Sequence, residues 1–106
     1  MEGPFSLTNE SIDRAVTRTS PGNYILSRDG QHANYVGRSG TDLNARLKRW
    51  VGKSYRSFWG EYRTSGFAAF VRECELYHSY PGLDNEIHPQ RPAESSWKCP
   101  RCRIFN

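Results

Sequence analysis

Apolar and polar positions change rhythm several times along this chain, and each change marks an element. Ile12, Ala15 and Val16 share one face of a short helix that Thr8 or Asn9 would cap, and Ser20-Pro21-Gly22 closes it. Two β-prone runs follow, Asn23-Tyr24-Ile25-Leu26-Ser27 and Ala33-Asn34-Tyr35-Val36, on either side of Asp29-Gly30. An Asp-Gly pair between such runs predicts a hairpin, because both turn positions favour positive φ. With a two-residue turn, Tyr24 stands directly opposite Tyr35 on one face of adjacent strands.

After the loop Gly37-Arg38-Ser39-Gly40, Thr41 or Asp42 caps a second helix. Its apolar face holds Leu43, Leu47, Trp50 and Val51, with Arg46 beside that face and Lys48 turned to solvent. Residues 55–63 read as a third strand, weakened by Gly60. A last helix runs from about Gly66 to Tyr80, where Pro81-Gly82 stops it. Phe67, Phe70, Val71, Cys74 and His78 fall on its apolar arc, and Glu73 lies roughly 100° from Cys74, outside that arc. The predicted class is α+β. It has a small, mainly antiparallel three-stranded sheet flanked by helices, in the order α-β-β-α-β-α. One domain spans 1–106, with a core at about 21–85 and a Pro-rich irregular tail at 86–106.

Charge adds a direction to this outline. The net charge is only +4, but residues 14–63 carry ten Arg or Lys against Asp29, Asp42 and Glu61, a local +7. Twelve of the fifteen basic residues are Arg, whose rigid fork suits phosphate. Tyr24, Tyr35, Trp50, Tyr55 and Trp59 are interleaved with that block, the composition of a nucleic-acid surface. Arg38, Arg46, Arg49 and Lys53 are the candidate contacts. The opening MEGPFSLTNE is not a signal sequence, no apolar run approaches ~20 residues, and three cysteines do not make a secreted disulfide framework. A cytoplasmic location, no membrane contact and a monomer are expected.

Gly22-Asn23-Tyr24, ten residues, then Tyr35-Val36-Gly37 resembles the paired motif of the GIY-YIG nuclease family. The resemblance continues through Arg38, Arg46, Glu73 and Asn85, in order, over about residues 21–85. Asn23 replaces the central Ile of the first motif, and Arg38 stands where many members have Lys. The resemblance implies a metal-dependent DNA endonuclease. Tyr35 would be the general base, with Tyr24 as its helper or alternative. Arg46 would clamp the scissile phosphate, and Glu73 would hold one Mg²⁺ or Mn²⁺. Gly37 would allow close backbone approach, while Arg38 and Asn85 would support the site. A phenol ordinarily titrates near ~10, so a tyrosine base needs positive charge nearby, from Arg38 and the metal.

A second constellation lies outside that motif. Cys99-Pro100-Arg101-Cys102 is half of a zinc knuckle. Cys74 and His78, at i and i+4, share a helix face and would complete a Cys₃His set that uses every cysteine. His88 is the alternative fourth ligand, and His32 beside the hairpin is expected to be exposed. Such a closed site would be structural and would pin the tail to the last helix. The substrate expected for the whole is duplex or structured DNA, with a partner protein where specificity demands one. The rival reading is a non-catalytic nucleic-acid-binding or adaptor module, and a purely structural zinc protein is a third.

Overall fold

A computed structural model describes residues 1–105. The elements are β1 (Glu2–Ser6), α1 (Asn9–Ala15), β2 (Gly22–Ser27), β3 (Tyr35–Ser39), α2 (Leu43–Lys48), β4 (Ser57–Tyr62) and α3 (Gly66–Ser79). The class is α+β, and all strands run antiparallel in the order β1-β4-β2-β3. The sheet therefore has four strands where the sequence predicts three. The extra one, β1, sits at an edge, is exposed apart from half-buried Phe5, and contains Gly3 and Pro4, so no alternation announces it. Phe5 packs on Phe58 with ring centroids 5.3 Å apart.

Capping fixes where the helices begin. Thr8 accepts from the Ser11 N–H, Asp42 from that of Ala45 and Ser65 from that of Ala68, each satisfying an otherwise orphan donor. No helix among the described residues is long and apolar enough to cross a membrane.

The hairpin departs from the predicted register by two residues. Tyr24 pairs with Gly37, and Leu26 with Tyr35. The Asp29 carboxylate accepts from the Gln31 and His32 N–H groups, 2.8 Å each, so Asp29-Gly30 builds an Asx turn inside a wider loop. A slip of two preserves faces, since side chains alternate with period 2. Tyr24 and Tyr35 thus remain on one face, diagonal rather than opposed.

The sheet is covered on both sides. One face packs Tyr24, Leu26 and Phe58 with Ile12 and Val16 of the α1 region and Leu43 and Leu47 of α2. The other packs Ile25 and Val36 against Leu76 of α3. A third cluster, Phe70, Cys74 and Cys99, joins α3 to the tail. Each large side chain buried this way contributes about 1.5–3 kcal/mol.

β3 is the outermost strand on its side, yet most of its outward backbone groups are occupied. The Val36 N–H donates to Asn85 Oδ1 (2.9 Å), and Asn85 Nδ2 donates to the Val36 carbonyl (2.8 Å). The Asp84 N–H donates to the Asn34 carbonyl, and Arg46 Nη1 donates to that of Arg38.

Candidate active site and metal cluster

A cleft of about 560 Å³ opens along the outer edge of β3. Tyr24, Tyr35, Gly37, Arg38, Arg46 and Glu73 all line it. They approach from both faces of the sheet. Tyr24 and Tyr35 belong to the α1–α2 side, Arg46 arrives from α2, and Glu73 comes up from α3 on the opposite side. Six positions from four elements, predicted as one site, are thus brought together.

Gly37 explains how a tyrosine on β2 reaches an edge one strand away. A Cβ on Gly37 would lie 2.3 Å from Tyr24 Cζ and 2.4 Å from its hydroxyl. The missing side chain leaves the gap through which the Tyr24 ring crosses β3. The glycine serves a side chain here, where the sequence suggests backbone approach to a ligand. Trp50 Nε1 donates to the Tyr24 hydroxyl (3.0 Å), and its ring packs on Tyr35 with centroids 4.7 Å apart and planes tilted by 50°. Trp50 lies just past α2 rather than within it. Its donor role leaves no mark in the sequence, where it reads as one more apolar position.

Electrostatics in the cleft differ from the expected lowering of a phenol. Burial drives the Tyr24 phenol far above its ordinary value, with the Trp50 hydrogen bond opposing. Tyr35 is also raised, first by burial and then by the Glu73 carboxylate, while Arg46 pulls it down. The cation that favours both phenolates is Arg46. Arg38 is engaged elsewhere: its Nη1 pairs with Glu73 Oε1, its Nη2 donates to the Gln90 carbonyl (2.6 Å), and its guanidinium lies over Phe70. Glu73, placed outside the apolar arc by angle, is 8% exposed, and burial raises its pKa against the pull of Arg38.

No family model matches the chain, and neither does any curated protein or solved structure. The site is therefore read from its own geometry.

Arg49 and Lys53 line a second hollow with Tyr24, Tyr35, Arg46 and Trp50, continuous with the cleft through the three shared residues. Asn85 does not line the cleft. Its amide is spent on Val36, so it supports the site through the strand. Asn23, fully buried, donates to the carbonyls of Gly37 on β3 and Ala69 on α3 (3.3 and 2.9 Å), joining the two halves of the site. Its Oδ1 has no partner. A polar residue at the start of the run Asn23-Tyr24-Ile25-Leu26 was the available signal for it.

The metal-ligand set also differs in one corner. His78, His88, Cys99 and Cys102 bring their ligand atoms within 4.8 Å of one another, a His₂Cys₂ group that could bind zinc. Tetrahedral zinc with ordinary bond lengths separates two nitrogens by about 3.3 Å and nitrogen from sulfur by about 3.6 Å. Here His78 Nε2 and His88 Nε2 are 3.2 Å apart, and Cys102 Sγ lies 3.4 Å from His88 Nε2. His88 Nδ1 donates to the Pro89 carbonyl (2.8 Å), which leaves the Nε2 lone pair facing the cluster. Burial would raise the Cys99 thiol, but the Arg101 N–H, His88, the Cys102 N–H and Cys74 together bring it down to about 6, which favours the ligating thiolate. Cys74 is not in the group. It points into the core beside Phe70, and burial followed by a hydrogen bond to Cys99 raises its thiol well above the ordinary value. The i, i+4 spacing is real, and Cys74 does meet Cys99, but its thiol sits among core side chains outside the group formed by His78, His88, Cys99 and Cys102. His88 takes the place.

Proposed function

We propose that this cleft hydrolyses phosphodiester bonds in DNA. The observation that carries the reading is the convergence of Tyr24, Tyr35, Arg38, Arg46 and Glu73 on one cleft, with a basic hollow beside it. Arg46 contributes a guanidinium whose one hydrogen bond is to a backbone carbonyl, leaving the rest of its fork for a phosphate. Tyr35, the less buried phenol, is the group that takes a proton from an attacking water after giving up its own to solvent. Arg46 favours that phenolate against the burial and the Glu73 charge that oppose it. Tyr24, its oxygen already accepting from Trp50, orients that water or the phosphate.

Glu73 is the one carboxylate lining the cleft among the described residues. A single carboxylate fits Mg²⁺ or Mn²⁺, since Mg²⁺ keeps several waters and takes phosphate oxygens as further ligands. Such an ion supplies positive charge that offsets the charge developing on the phosphate. Arg38 guards Glu73 until substrate arrives and can then exchange the carboxylate for a phosphate oxygen. The tail carries zinc in its His₂Cys₂ group as a separate, structural site.

The test is Mg²⁺-dependent nicking of supercoiled plasmid and branched DNA. Wild type cleaves, whereas Glu73→Ala and Arg46→Ala lose about 10²–10³ in rate. Equal rates in all three, or no cleavage of any substrate, refute it. Retention of DNA without cleavage would instead make the chain a nucleic-acid-binding module, the reading that the hollow lined by Arg49 and Lys53 favours.

A further inference from the structure

The tail contributes more than an appendage to the core. Residues 89–98 run between two members of the His₂Cys₂ cluster, His88 and Cys99. This segment contains no helix or strand. Yet Gln90, Pro92 and Trp97, all within it, form one wall of the cleft. Its fastenings are few. Arg91 Nη1 donates to the Trp97 carbonyl (3.0 Å), and the Ser95 N–H donates to that of Pro92 (3.0 Å), so both tie the loop to itself. Against the body, Trp97 packs on Phe67 and Phe70, and the Gln90 carbonyl accepts from Arg38. An isolated ten-residue loop held this lightly would not keep a fixed wall against its conformational entropy. Closing both ends on one metal ion removes most of that freedom.

We propose that zinc bound by His78, His88, Cys99 and Cys102 is a positioning device for the cleft. It fixes residues 89–98 as a wall and, through the Gln90 carbonyl two residues beyond His88, sets the guanidinium of Arg38. This deepens the nuclease reading and rests on it for its functional consequence, but the structural coupling stands without it. Arg38 then has two fixed acceptors, Glu73 on one side and the zinc-held loop on the other. Without zinc only Glu73 remains. Arg38 would follow the carboxylate, and the cleft would lose the side formed by Pro92 and Trp97.

The full-length chain is measured as wild type, Cys102→Ser and His88→Cys. Zinc per chain comes from elemental analysis, amide exchange from mass spectrometry, and affinity for a short DNA duplex is read without Mg²⁺. Wild type holds one zinc. Cys102→Ser loses it, and exchange over 88–98 accelerates by about tenfold or more while β2 and β3 stay protected. DNA affinity falls by about tenfold, the loss of one charge-assisted contact. His88→Cys keeps four ligands and retains zinc, loop protection and affinity. Zinc-free wild type, a zinc-free variant whose loop stays protected, or exchange that rises equally over loop and sheet would each overturn the proposal. Zinc coupling without cleavage would defeat only the nuclease reading, and unchanged cleavage by Cys102→Ser would defeat only the coupling.

Discussion

Gly37→Ala isolates the close approach that lets the Tyr24 ring cross β3. No positive φ is required at Gly37, so alanine fits the backbone. On that ground alone the substitution would stabilise by about 0.4–1 kcal/mol, through a less flexible unfolded chain. The new Cβ, however, would sit 2.3 Å from Tyr24 Cζ. The Tyr24 ring cannot simply move aside, because it is 2% exposed and held by Trp50. Overpacking of this kind costs about 1–3 kcal/mol. The steric effect wins, and the net loss is about 1–2 kcal/mol. For a chain near 100 residues this lowers Tm by roughly 4–16 °C. Thermal melts followed by circular dichroism measure it, and the Trp50 indole N–H resonance reports the displaced Tyr24 hydroxyl. In a Tyr24→Leu background the ring is gone and Gly37→Ala becomes neutral or mildly stabilising. In Tyr24→Phe, which keeps Cζ, it still destabilises. A Gly37→Ala protein as stable as wild type, with an unmoved indole signal, refutes the gap-filling role.

Two further outcomes follow from ion pairs and the strand edge. Glu61 accepts from Arg72 and Arg63 at 2.9 Å, and although burial alone would raise its pKa, those partners hold it below 4.5. A lowered folded-state value means stabilisation that is present above about pH 4.5 and lost as pH falls through the folded pKa. The stability gap between wild type and Glu61→Gln is therefore about 1 kcal/mol at neutral pH and shrinks as pH falls through the folded pKa, and a gap independent of pH contradicts the assignment. Asn85→Ala removes two hydrogen bonds to Val36, costing about 1–2 kcal/mol, and speeds exchange of the Val36 amide; an unchanged amide would show that the edge is not held there.

The parts legible in the sequence share a local cause. Thr8, Asp42 and the periodic runs after them signal helices through side chains only a few residues apart. The motif residues reached one cleft because a two-residue register slip does not change faces, so Tyr24 and Tyr35 stayed together although their pairing was wrong. What escaped was non-local. β1 depends on the free edge of β4, and nothing in Glu2–Ser6 alternates. The choice of His88 over Cys74 depends on where the tail folds back on α3, which spacing along the helix does not encode. Gln90 takes part through a backbone carbonyl, which every residue has. Glu73, outside the apolar arc by helical angle, is nonetheless buried, paired with Arg38 in a cleft that residues of the tail also line.

The occupied rim of β3 also bears on how copies of this chain meet one another. A bare outer strand is a template for another chain's strand, the first step toward fibrous aggregation. On β3 the carbonyls of Asn34, Val36 and Arg38 accept from Asp84, Asn85 and Arg46, and the Val36 N–H donates to Asn85, so the amide of Asn85 imitates a neighbouring peptide one residue long. At the opposite rim Pro4 offers no N–H, and the pairing of β1 with β4 shifts register between Glu2 and Phe5. Neither rim presents an unbroken ladder. A sheet only four strands wide thereby resists templated growth at both margins, while the cleft along one of them stays open to solvent.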